Sequence, residues 1–135
     1  MPASNSSTIE FQTVKAGSNA FGVPKPAEVL ARTKVEWEAV WKSMESTTVP
    51  RPPAPEIDFG KTAVVVVFAG EKPTGGYKLE VRSVTRSADG KKLIVEVLEK
   101  SPGKGAIVTQ AFTSPYQAIG VPAGDFVLEV KRSRE

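Results

Sequence analysis

The sequence predicts an α+β domain: a mostly antiparallel β-sheet, folded as a sandwich or half-barrel of about seven strands, with one early amphipathic helix. Three observations lead there. A single capped helical stripe stands at residues 33–44. A near-continuous apolar run of strand length occupies residues 61–69. From residue 57 onward, short apolar segments are separated by turns rich in Gly, Pro and Asp.

Residues 1–7 (Met-Pro-Ala-Ser-Asn-Ser-Ser) have neither the basic nor the apolar region of an export signal and read as a disordered leader. One domain is expected over 8–132, with a tail at 133–135. In residues 8–15, Ile9, Phe11 and Val14 alternate as in a half-buried strand. Residues 16–26, rich in Gly, Ser, Asn and Pro, form a loop, and 28–32 a short second strand. Thr33 and Glu36 have capping-box spacing, the Thr33 hydroxyl accepting from the Glu36 N–H and the Glu36 carboxylate reaching back to the N–H of Thr33. Trp37, Val40, Trp41 and Met44 then fall on one helical face, which reads as core. Residues 47–56 hold four prolines and make an extended connector.

The run 61–69 should be a central strand covered on both faces. In 77–86, Tyr77, Leu79 and Val81 share a face and Val84 falls out of phase, so a bulge is expected near Arg82 and Ser83. Ala88-Asp89-Gly90 signals a hairpin turn, and residues 92–99 return with Leu93, Val95 and Val97 inward. Beyond a turn at 101–105, a strand is expected over 106–113, a break at 114–116, a short edge segment at 117–121, a turn at 122–125 and a last strand at 126–131.

Composition narrows the chemistry. The 135 residues include no histidine and no cysteine, which removes thiolate nucleophiles, disulfides, Cys/His zinc sites and Ser-His-Asp triads. The net charge of +3 is small, and the basic cluster at 131–134 reads as a solvated tail, so no nucleic-acid partner is expected. No apolar run reaches the length of a membrane span. Asp58, Asp89 and Asp125 are isolated in sequence, against an oxygen-only metal site. Asp58, before the central strand, could act as an acid but reads better as a turn acceptor. The lone Ser-x-x-Lys spacing, Ser101 to Lys104, lies in a turn. No catalytic residue, cofactor or metal is assigned.

The informative segment is Lys72-Pro73-Thr74-Gly75-Gly76-Tyr77, between the central strand and the next. Adjacent glycines permit positive φ and bare N–H groups. The Gly70 to Gly75 spacing fails as a phosphate loop, because Gly76 and Tyr77 stand where Lys and Ser/Thr are needed. A stiff turn closing Tyr77 over the core and a rigid loop presented to a protein are both open readings. A second patch, Thr113-Ser114-Pro115-Tyr116, is either a strand break or a contact surface with an amphipathic ring.

These elements, together with Glu36-Trp37…Trp41, Ile57-Asp58-Phe59 and the strand 64–68, resemble the C-terminal domain of PrcB, an accessory protein of a bacterial protease complex. The resemblance spans about residues 29–131, and its specific parts are Pro-Thr-Gly-Gly-Tyr (73–77) and Thr-Ser-Pro-Tyr (113–116). It implies a non-catalytic protein that associates with a protease and supports its assembly or stability, in a family often exported or lipid-anchored. Pro73 to Tyr77 is also similar to the loop that chagasin-type inhibitors insert into protease clefts, with Lys72 where that motif has Asn and Gly75 where it has a second Thr. The resulting expectation is a protein partner, a protease among the candidates, contacted by Lys72, Pro73, Thr74, Gly75, Gly76, Tyr77, Thr113, Pro115 and Tyr116. The alternatives are a carbohydrate or cell-envelope binder stacking on Tyr77, Tyr116 and Phe112, and a small hydrolase using Asp58.

Overall fold

The computed structural model describes residues 7–45 and 49–134. In chain order its elements are β1 (Ser7–Thr8), β2 (Gln12–Gly17), β3 (Ala27–Ala31), α1 (Lys34–Met44), β4 (Thr62–Phe68), β5 (Lys78–Arg86), β6 (Lys92–Lys100), β7 (Tyr116–Pro122) and β8 (Val127–Arg134). They form two four-stranded sheets, ordered β1-β5-β6-β8 and β2-β7-β4-β3. All neighbours are antiparallel except β6 and β8, which are parallel. The architecture is the expected α+β sandwich.

Strand β4 explains the layering. Ala63, Val65 and Val67 point between the sheets, where they meet Val81, Val84, Leu93, Val95 and Val97. Val64, Val66 and Phe68 point the other way, onto Trp37, Trp41 and Met44 of α1. A strand with α1 on one side and a second sheet on the other has no polar face, which is why its sequence does not alternate.

Helix α1 begins as the capping box requires, with the Glu36 N–H donating to Thr33 Oγ1 at 3.2 Å. The returning Glu36 carboxylate takes the N–H of Arg32 at 3.0 Å, one residue earlier than the motif predicts. The two indoles lie with ring centroids 5.6 Å apart. Their N–H groups donate to Pro55 O at 3.0 Å and Pro52 O at 2.8 Å, binding the connector along the helix. Residues 46–48, at the start of the expected connector, and 1–6 of the expected leader lie outside the described residues.

Four expectations about strands need correction. Residues 8–15 are not one strand: β1 joins β5, whereas β2 joins β7 in the other sheet. Ile9 and Phe11 therefore pack into the inter-sheet core and Val14 under the helix. Residues 106–113 form no strand. β6 is flanked by β5 and β8, and the backbone of this segment goes instead to the 72–77 loop, with Thr109 O accepting from the Gly75 N–H and Thr113 bridged to Lys72. Residues 117–121 are not an edge: β7 lies between β2 and β4. Residues 131–134 are not a tail but part of β8: Lys131, Ser133 and Arg134 are exposed as expected, whereas Arg132 turns back to bind Glu99, Glu28 and the carbonyls of Ala27 and Phe68. The expected bulge is present, as the register of β5 on β6 slips between Val81 and Ser83.

Candidate protein-contact surface

Strand β4 runs toward the end of the sandwich where β7 and β5 begin, so the loops before and after these strands meet there. Gly70 turns the chain at φ +86°, and a Cβ on it would lie 2.8 Å from Pro26 Cδ. Gly76 sits at φ +89°, and its missing Cβ would lie 2.7 Å from Val108 Cγ1 and 2.9 Å from Pro102 Cγ. Both glycines combine a left-handed backbone with close approach of another loop.

Backbone hydrogen bonds lace three loops together. Lys72 and Thr113 exchange N–H···O bonds of 2.7 and 3.0 Å, and Thr113 Oγ1 donates to Thr74 O at 2.8 Å. The N–H of Gly75 donates to Thr109 O, that of Ala69 to Pro115 O and that of Glu71 to Pro24 O. Ser114, fully buried, accepts from the Ala20 N–H and donates to Ser18 O. The loops at 72–77 and 113–116 are thus adjacent, which spacing alone could not establish.

The candidate residues divide by exposure. Pro73 and Gly76 are exposed, and Lys72, Thr74, Gly75, Tyr77 and Thr113 are half-buried. Pro115 is buried, and Tyr116 is 5% exposed, so neither presents a side chain to a partner. Tyr116 lies on the helix side of β7, with its ring centroid 6.4 Å from that of Phe68. Burial, and after it the Glu45 carboxylate, pushes its phenol up to about 12. Three stacking rings do not assemble, since Tyr116 is buried and Lys72 Nζ stands 5.6 Å over the ring of Tyr77.

Sequence reading missed Ile107 and named Phe112 only as a stacking ring of the carbohydrate-binding alternative. Ile107 is fully exposed and Phe112 63% exposed, on the same loop that holds Gly75. The available signal was Gly103-Lys104-Gly105 just before the apolar stretch, which marks a loop rather than a strand entry.

At the other end of the sandwich, Asp58 builds a turn. Its Oδ1 accepts the Gly60 N–H at 3.0 Å, and its carbonyl accepts from Lys61 and Thr62. A cleft of about 800 Å³ beside it is lined by Glu10, Glu56 and Lys61 among apolar groups. Among the described residues, no group of three or more Asp and Glu side chains could hold a metal ion. No helix among them is long and apolar enough to cross a membrane.

Residues 63–122 match the family model described as PrcB C-terminal. The match runs from β4 through β7 and contains both candidate loops. It supports the family resemblance over that stretch. Searches of curated proteins and of solved structures returned no match.

Proposed function

We propose that this protein is a non-catalytic accessory module that docks onto a protein partner, a protease foremost among the candidates, through the 72–77 loop and the adjoining residues 107–112. The observation that carries the reading is the lacing of three loops into one surface, from which Pro73, Ile107 and Phe112 project. Apolar groups held on a rigid base lose little conformational entropy on binding, which favours their use in recognition. The match to the PrcB C-terminal model over the same residues supports an accessory role.

The test is photo-crosslinking in the native cell, with a reactive residue placed at position 73, 112 or, as a control, 89 in the hairpin at the far end. One protein should crosslink from 73 and 112 and not from 89. Crosslinking from 89 alone would place the contact elsewhere. A specific partner without protease character would retain the docking surface and remove the protease.

A further inference from the structure

Of the strands at the sheet edges, β1, β2 and β3 are each blunted. β1 is two residues long, β2 is broken by a register shift between Thr13 and Lys15, and the Ala27 carbonyl of β3 is taken by Arg132. β8 differs. It runs for eight residues without proline and keeps register with β6 without a bulge. The Val127 N–H donates to Lys91 O, which fixes the phase of this parallel ladder. Val127, Glu129, Lys131 and Ser133 therefore bond to β6, whereas Leu128, Val130 and Arg132 turn their N–H and C=O groups outward. Among the described residues, nothing else bonds these outward groups. An inward-pointing charge guards many edges, but the Arg132 guanidinium is directed across to β3 and β4 and leaves the edge of its own strand bare.

We propose that β8 is a dimerisation edge, to which a second copy of this chain adds antiparallel with the two-fold axis at Val130. The sequence is self-complementary in that register. Val130 meets its own copy, and the outward groups of Leu128 meet those of the partner's Arg132, so every outward group finds another. Glu129 then faces the partner's Lys131 on both sides of the axis, at non-hydrogen-bonded positions where opposed side chains approach closest. Centring the axis on 129 or 131 instead would oppose like charges, and a shift by one residue would turn the two faces over. Within one chain Glu129 is held loosely, 3.7 Å from Lys92 Nζ and 3.9 Å from Lys131 Nζ on an exposed face. The two β8 strands run in opposite directions, so the dimer carries its two 72–77 loops at opposite ends and leaves both free.

Sedimentation velocity of the full chain from about 5 to 500 µM should show a monomer–dimer equilibrium. Over the same range, hydrogen exchange should slow at the amides of Leu128, Val130 and Arg132 and change less at Glu129 and Lys131, which already bond to β6. Glu129→Lys and Lys131→Glu should each raise the dimer Kd at least about tenfold, and Glu38→Lys on α1 should leave it within about twofold. An equimolar mixture of the two edge variants should recover a dimer of one chain of each, because opposite charges again face across the axis. Native amide dispersion confirms each fold. Glu129→Gln or Lys131→Gln replaces a variant that fails, and should raise Kd about threefold. A monomer at every concentration would overturn the proposal. So would a dimer indifferent to charge at 129 and 131, edge variants that do not recover on mixing, or protection without the alternation. The measurement needs no other protein, so it can be read whether or not crosslinking at 73 and 112 succeeds.

Discussion

Tyr116 carries a phenol under the laced loops, and its environment favours the neutral form. The folded value of about 12 stands above the ordinary 10.0. Deprotonation therefore costs more in the folded than in the unfolded chain. The stability this group contributes is fully present below pH 10 and is lost as pH rises through about 12. Tyr116→Phe should remove that dependence. Urea midpoints of wild type and variant should differ by a constant amount from neutral pH to about pH 9.5, and the difference should move against wild type above pH 10. A constant difference up to pH 12 would mean that the phenol does not titrate against its surroundings. Gly76 shows how a loop residue can be mistaken for a simple hinge. Its space is filled by Val108 and Pro102, so a side chain there displaces the neighbouring loop as well as straining the backbone.

Helix α1 and its proline-rich strap act as one element. Each indole N–H finds a proline carbonyl, and proline, lacking an N–H of its own, suits an extended strap that only accepts. Trp41→Phe keeps an aromatic ring but leaves Pro52 O without its donor. It should cost about 1–3 kcal/mol in chemical denaturation and raise hydrogen exchange in α1. No change in either would mean the strap is held by packing alone. The helix was legible because two local signals agreed there, a cap and an apolar stripe. The segment 106–113 misled because its β-branched and aromatic residues have strand propensity, whereas its backbone bonds go to the 72–77 loop and not to a sheet. Strand β7 misled in the opposite direction. Gly120 and Ala118 look weak for a central strand, yet a Cβ at Gly120 would already lie 3.3 Å from Thr62 Cγ2, so a small residue is what this crowded position accepts. The candidate site was half legible for the same reason. Glycines and proline marked the 72–77 loop, whereas the burial of Tyr116 and the exposure of Ile107 depend on which sheet each segment joins.

Across the whole molecule, two polar groups fasten the sandwich at opposite margins. On one side Gln117 of β7 accepts the Val81 N–H freed at the β5 bulge and donates to Thr13 of β2. On the other, Arg132 of β8 spans to β3 and β4 through two carbonyls and pairs with Glu28 and Glu99. Arg132→Met keeps the aliphatic stem and leaves these acceptors without their donor. A loss of about 2–4 kcal/mol is expected in equilibrium unfolding, with the exchange protection of β3 and β8 falling first. A variant as stable as wild type would mean that the inter-sheet core alone sets the closure. The central place of β4 has a further consequence, in how the protein stays out of aggregates. Its sequence, Thr-Ala-Val-Val-Val-Val-Phe, has no charge and no proline, the composition of segments that stack into cross-β fibres. One flank is guarded by β3, from earlier in the chain, but the other waits for β7, which begins 48 residues after Phe68. During that interval the most adhesive strand in the chain has an open edge. Docking of β7 is thus both a folding step and the closing of a hazard, and substitutions that slow it should lower soluble yield even where the finished fold tolerates them.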